Sequence, residues 1–140
     1  MQQSVAVLER IKRQMKRNAR MRFAAQERER LAIESRLEAT EVAIDHSRQR
    51  PEEQDVTWLA EQHSHRLRLE LQRRRETEQL RKQAYVVEKH RDALRKASQE
   101  ARLMELLVES QQAEVTKRLQ RQESNEMDDL AMARWAVQCA

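Results

Sequence analysis

The chain has 140 residues, of which 37% are charged and 3% aromatic, with no glycine and a single proline, Pro51. Leu, Ile, Val and Phe are too sparse to fill a broad two-layer core, whereas the abundant Ala, Arg, Glu, Gln and Leu are strong helix formers. This composition argues against a β-rich or mixed globular domain and predicts long helices. The formal net charge of +4 gives only a mild bias towards anionic partners.

The first predicted helix covers about residues 3–48, because no residue in this range breaks a helix. Its apolar pattern is irregular and forms two stripes. The first stripe consists of Val5, Leu8 and Met15. The second is one residue out of phase and consists of Phe23, Leu37 and Ile44, with Arg30 inside it. Residues 10–22 of this helix contain seven basic residues and no acidic one: Arg10, Lys12, Arg13, Lys16, Arg17, Arg20 and Arg22.

A bend is predicted at about residues 49–55, around Pro51. The proline ring removes a backbone donor and clashes with the preceding turn, so the first helix has to end before it. Two starts of the next helix are open. Asp55 can be the N-cap, with Glu52 and Glu53 adding negative charge near the helix start. Alternatively, Pro51 is itself the first helical residue.

The second predicted helix covers about residues 56–137 and contains a regular hydrophobic seam. Its main column recurs at every seventh residue: Leu80, Val87, Leu94, Ala101, Val108 and Val115. A coiled-coil seam needs a second column of residues beside the main one, the companion column, and the sequence allows two choices for it. One consists of Ala84, Arg91, Ser98, Glu105 and Gln112, and the other contains Ala97 and Met104. A seven-residue repeat of this length is typical of a left-handed coiled coil.

These patterns predict an all-α fold, an antiparallel two-helix coiled-coil hairpin with unequal arms that forms a single domain over residues 1–140. A highly charged helix is marginal alone, and the other helix of the same chain is the nearest partner for its apolar stripe. The first helix can pair with only about half of the second. The part around Met104–Trp135 therefore has to protrude, pair with another molecule or bend.

The sequence offers no arrangement of residues for catalysis, cofactor binding or metal binding, and we expect a protein that is not an enzyme. A phosphate-binding loop needs glycine, and His63 and His65 point in nearly opposite directions on a helix. Cys139 is alone, so no intramolecular disulfide can form. Neither a secretory signal nor a transmembrane stretch is recognisable, and we expect a cytoplasmic protein.

Charge changes sign along the chain. A second basic cluster at Arg73–Arg75 follows the basic start of the first helix, and the end of the chain is acidic. The acidic residues are Glu123, Glu126, Asp128 and Asp129. Such asymmetry can orient a helical protein on a charged partner. We do not expect nucleic acid to be that partner, because no aromatic residues interleave with the basic ones for base stacking.

The stretch "RLQRQESNEMDDLAMARW" (Arg118–Trp135) resembles the FliJ/YscO/HrpO family, the central stalk proteins of type III secretion and flagellar export ATPases. Members are small, charged helical hairpins, and many end in an acidic segment like Glu126–Leu130. A large apolar residue often opens their second helix, as in "DVTWL" (Asp55–Leu59), and an aromatic near its middle matches Tyr85. The resemblance covers the layout of nearly the whole chain.

The resemblance implies a stalk that inserts into the hexameric export ATPase, promotes its activity and links it to the cytosolic domain of the export gate. Secretion chaperones are further implied partners, and the inner membrane is reached through partners only. The implied ATPase contacts are Arg10, Arg13, Arg17, Arg20, Leu119, Met127 and Leu130. The implied gate or chaperone contacts near the bend are Trp58 and Leu59. The implied location is the cytoplasmic base of the secretion apparatus.

Two other functions remain open at this point. The chain can be a structural coiled-coil scaffold that self-associates through Leu103–Val115, where additional leucines widen the apolar face. It can also be a basic coiled coil that binds nucleic acid through the start of the first helix.

Overall fold

The computed structural model describes residues 2–49 and 55–140 and contains two α-helices. Helix α1 covers Gln2–Ser47 and helix α2 covers Val56–Gln138. The two helices pack against each other, and no strand is present in the described residues, which confirms the predicted all-α helical hairpin. Helix α2 begins directly after Asp55, whose main-chain carbonyl accepts the N–H of Leu59 at 3.0 Å. Pro51, Glu52 and Glu53 lie outside the described residues.

The chain divides into two compact units. The terminal unit combines Met1–Lys16 of α1 with Ala97–Ala140, and the bend unit consists of Arg17–Lys96. Each unit therefore contains part of both helices.

In the bend unit, the interior is a narrow seam between the two helices. Ile33, Ile44 and Val87 are buried in it, whereas Phe23 and Leu37 are half-buried. These residues follow the heptad spacing of a coiled coil, and the second predicted stripe of α1 is the one that faces α2. Arg30 is half-buried within that stripe. The guanidinium of Arg91 lies 5.8 Å from the centre of the Phe23 ring and covers one end of the seam.

The companion column of α2 in the bend unit is largely polar. It consists of Leu69, Glu76, Gln83 and His90, of which Glu76 and Gln83 are buried. The Gln83 side-chain amide donates to the main-chain carbonyl of Gln26 at 3.0 Å and to its side-chain oxygen at 2.8 Å. Of the two companion columns that the sequence left open, the structure has the one that continues through Ala97 and Met104.

The buried Glu76 carboxylate is held by hydrogen bonds from both helices. The Thr40 hydroxyl of α1 donates to it at 2.8 Å, and the Gln72 amide of α2 donates at 2.9 Å. In the described residues no buried side-chain nitrogen or oxygen lacks a hydrogen-bond partner. A buried polar group is tolerated when it is hydrogen-bonded in this way, and such a layer helps to specify one register of a coiled coil.

Ion pairs between residues one turn apart occur within both helices. Arg30 binds Glu27 and Glu34 on α1, and Arg81 binds Glu78 on α2 at 2.8 Å. Hydrogen bonds from these arginines hold the pKa values of Glu27 and Glu78 below their ordinary range. Each of these pairs joins residues of one helix and remains accessible to solvent, so its contribution is to local helix stability.

Helix α1 ends in a tightened turn next to α2. The N–H groups of Arg48 and Gln49 donate to the carbonyls of Asp45 and His46, each at 3.2 Å, three residues earlier in the chain. Arg66 of α2 donates to the main-chain carbonyl of Ser47 at 3.1 Å. A cation at the end of a helix satisfies a free carbonyl and interacts favourably with the helix dipole.

Replacing Arg66 with Ala is expected to lower the free energy of unfolding by about 0.5 kcal/mol, because the carbonyl end of α1 loses this cation. The matched control is Arg68→Ala, since Arg68 donates only within its own helix, to the Ser64 carbonyl. Urea denaturation followed by circular dichroism measures both. An equal loss of stability in the two variants would contradict a role for Arg66 at the end of α1.

In the terminal unit, the residues of α1 that face α2 are mostly polar. They are Val5, Glu9, Lys12 and Lys16, all of which are half-buried. Ala101 is buried at 2% exposure, and Lys12 forms an ion pair with Glu100 at 2.7 Å. The prediction that Leu8 and Met15 belong to the stripe facing α2 is wrong, because both are about half exposed.

Candidate protein-binding surfaces

The predicted basic contacts are exposed side chains on α1. Arg10 and Arg13 belong to the terminal unit, where Arg13 forms an ion pair with Glu9 one turn earlier. Arg17 and Arg20 are exposed in the bend unit. All four side chains are exposed on the surface of α1, so their guanidinium groups are accessible to an anionic partner.

The end of α2 is a helix without packing partners in the terminal unit. Every residue from 116 to 140 is exposed, and the large apolar side chains among them are no exception. Leu119 is 53% exposed, Met127 67% and Leu130 60%, so all three predicted contacts of this segment are accessible. A helix that exposes several large apolar residues is typical of a segment that docks onto another protein.

Trp135 is a further accessible residue of this segment, which the sequence did not single out as a contact. It is 65% exposed and lies on the same side of α2 as Met127, eight positions earlier, whereas Leu130 is five positions from Trp135 and shares a face with Met127 instead. Glu123, one turn before Met127, and Asp128, directly after it, place negative charge around Met127. The combination of apolar anchors and acidic flanks favours a partner groove that is apolar inside and basic at its edges.

Near the bend, Trp58 is half-buried and Leu59 is 45% exposed. Trp58 lines a groove of about 460 Å³ together with residues of α1 and the first turns of α2. The other lining residues are Ala43, His46, Ser47, Gln49, Gln62 and His65. The half-buried indole therefore lies in a groove between the end of α1 and the start of α2, whereas Leu59 is the more exposed of the two predicted contacts.

A third group of exposed apolar residues lies in the terminal unit, and its α2 part falls within Leu103–Val115, the segment predicted for self-association of a coiled-coil scaffold. On α1 it consists of Leu8, Ile11 and Met15, and on α2 of Leu103, Leu106 and Leu107. All six side chains are between 45% and 62% exposed. Hydrophobic periodicity assigned Leu8 and Met15 to the interior. It could not show that polar residues of α1 take the positions facing α2 in this unit.

The described residues contain no group of three or more His, Cys, Asp or Glu side chains that could hold a metal ion. Within the same residues, neither helix has an apolar stretch long enough to cross a membrane. Cys139 is a free, exposed cysteine. The features that the described parts of the two units present to the outside are accessible helix faces, which are suited to binding other proteins.

Comparison of the chain with protein-family models, with curated proteins and with solved structures found no significant match.

Proposed function

We propose that the chain is a non-enzymatic stalk and coupling protein of a type III secretion apparatus. In this role it inserts into the hexameric export ATPase, promotes ATPase activity and links the ATPase to the export gate and to secretion chaperones. The proposal rests on one observation above all. The helical hairpin ends in a bare stretch of α2 that exposes Leu119, Met127 and Leu130. The resemblance of Arg118–Trp135 to the FliJ/YscO/HrpO stalk proteins supports the same role.

The proposed ATPase contact is the terminal unit. Its bare helix exposes side chains in every direction, so a single helix can meet several subunits of a ring at once. The acidic residues from Glu123 to Asp129 and the basic side chains of Arg10 and Arg13 offer both signs of charge. Exposed ion pairs are each worth only about 0–1 kcal/mol, so such contacts form and break readily while the ring turns over ATP.

The proposed contact with the export gate or with chaperones is the region near the bend. Leu59 is an exposed apolar residue at the start of α2, and the half-buried Trp58 lies next to it. A protein that binds the ATPase at the chain ends and the gate near the bend would connect the two. This assigns the chain to the cytoplasmic base of the secretion apparatus.

The proposal is tested by the turnover of the cognate purified ATPase at increasing ratios of this chain to hexamer. We expect turnover to rise and to saturate near one chain per hexamer. Leu130→Asp should weaken the stimulation at least about tenfold, because it places a charge on the apolar face of the bare helix. Val42→Asp is the matched control, since Val42 is also an exposed apolar residue, 63% exposed, but belongs to the bend unit.

Two results would contradict the proposal. One is unchanged turnover together with no co-purification of ATPase and chain. The other is stimulation that Leu130→Asp and Val42→Asp reduce equally, because the bare end of α2 would then have no special part in it. Affinity for nucleic acid that falls steeply with salt would favour the nucleic-acid alternative instead.

A further inference from the structure

The exposed apolar residues of the terminal unit belong to both helices and lie on one side of it. The ion pair between Lys12 and Glu100 marks that side. Leu8 and Met15 are four residues before and three residues after Lys12, so both lie next to it on the surface of α1. On α2, Leu103 and Leu107 follow Glu100 by three and seven residues and share its face.

The exposed apolar residues of α1 and those of α2 also lie next to each other along the length of the two helices. Ala6 lines a groove with Val108, and Lys12 pairs with Glu100, so residues 7–11 of α1 run alongside residues 101–107 of α2. Leu8 and Ile11 therefore lie beside the turns that carry the exposed leucines. Together they form one continuous surface, the two-helix patch, which consists of Leu8, Ile11, Met15, Leu103, Leu106 and Leu107.

The two-helix patch is wider than a two-helix coiled coil requires. A coiled-coil pair needs apolar residues only along its seam, whereas helices of a four-helix bundle have an apolar arc that extends to the neighbouring positions. In the terminal unit, α1 departs from the usual pattern in which apolar residues face the partner helix. Glu9, Lys12 and Lys16 face α2, and the stripe of Leu8, Ile11 and Met15 faces outwards. This part of α1 therefore has its main apolar surface directed at a partner other than α2.

We propose that the occupant of the two-helix patch is a second copy of this chain, and that the two terminal units form a four-helix bundle. The ion pair of Lys12 and Glu100 lies between the two apolar stripes of the patch, and its charges balance, so the patch can meet an identical patch without net like-charge repulsion. Because the two charges have opposite signs, an inverted copy can bring Lys12 of one chain near Glu100 of the other.

A lipid surface is the less favoured occupant. A helix that lies on an anionic membrane needs basic residues around its apolar face. Here Glu100 adjoins the patch on α2, and Glu114 lies two turns beyond Leu107 on the same face. Dimerisation through the patch does not use Leu119, Met127 or Leu130, and it leaves the acidic end of α2 free.

The experiment is sedimentation equilibrium of the full chain over a range of micromolar concentrations. We expect a reversible dimer, and we expect Ile11→Glu and Leu107→Glu each to raise its dissociation constant at least about thirtyfold. Val42→Glu is the matched control, because it places the same charge at an exposed apolar residue outside the patch. Circular dichroism checks that helicity is unchanged. If a glutamate variant loses helicity, Leu107→Gln tests the patch without adding a charge.

Three outcomes would overturn the proposal. The unsubstituted chain could sediment as a monomer throughout the concentration range. A dimer could form that Ile11→Glu and Leu107→Glu do not weaken more than Val42→Glu. Finally, a monomeric chain could float with vesicles of phosphatidylcholine and phosphatidylglycerol and lose this binding in Ile11→Glu, which would assign the patch to a membrane.

Discussion

Replacing Thr40 with Val is expected to lower the free energy of unfolding by about 1–3 kcal/mol, because the buried Glu76 carboxylate loses one of its hydrogen-bond donors. Valine has nearly the shape of threonine, so the change removes the hydroxyl and leaves the packing in place. Thr40→Ser is the matched control, since it keeps the donor. Urea denaturation followed by circular dichroism measures all three proteins.

The same substitution should cost much less when Glu76 is replaced by Leu, because the position then needs no donor. A double-mutant cycle with Thr40→Val and Glu76→Leu measures this coupling, and we expect at least about 1 kcal/mol. Additive effects of the two substitutions would contradict the view that the hydroxyl acts through the carboxylate. Replacing a buried polar layer with apolar residues is often neutral or stabilising, so the double variant should approach the stability of the unsubstituted chain.

Replacing Trp58 with Ala is expected to lower the free energy of unfolding by about 2 kcal/mol, because the half-buried indole, which borders the groove between the end of α1 and the start of α2, loses its apolar burial. Loss of that burial should also reduce helicity near the bend. Circular dichroism during urea denaturation measures both effects. This outcome would identify Trp58 as a residue that fastens the two helices together near the bend.

Leu59→Ala is the comparison variant that distinguishes a role in packing the two helices together from a role in binding a partner protein. Leu59 is 45% exposed, so its truncation should change stability by less than about 0.5 kcal/mol. If the region near the bend binds the export gate, this variant should weaken binding with helicity intact. Unchanged stability in Trp58→Ala together with lost gate binding would instead make Trp58 a contact residue.

The fold could be predicted from the sequence because the seven-residue hydrophobic repeat of α2 lies within one continuous stretch of the chain. Val87 and Ala101, two members of its seven-residue column, are buried at 3% and 2% exposure. The absence of glycine and the single proline at position 51 limited the number of bends. Composition, periodicity and one helix-breaking residue were therefore sufficient for the two-helix hairpin.

The orientation of the first turns of α1 could not be predicted in this way. Hydrophobic periodicity assumes that apolar residues face inwards, but Lys12 faces α2 because Glu100, 88 positions later in the chain, accepts its hydrogen bond. Likewise, Thr40 and Glu76 face each other because each satisfies a polar group of the other. Such preferences depend on pairs of distant residues, and a single sequence does not show which residues are paired.

The sequence predicted which residues could contact a partner, but it could not predict which surfaces those residues form in the folded chain. The sequence identified Leu119, Met127 and Leu130 through a family resemblance, while their exposure depends on where α1 stops covering α2. The sequence indicated the α2 part of the two-helix patch, within Leu103–Val115, but not its α1 part, because the patch spans two helices. Periodicity along one helix cannot show that a stripe on another helix continues it.

The bare end of α2 has a consequence for hydrogen exchange. Residues 117–138 are helical but make no packing contacts in the terminal unit, so their amide protons can exchange through local opening at little free-energy cost. The amides around Val87, buried in the bend unit, should exchange only when the seam itself opens. A ligand held by the last turns of α2 would therefore slow exchange in residues 117–138 and leave the slow amides near Val87 unchanged, which makes exchange rates a direct map of where the chain is bound.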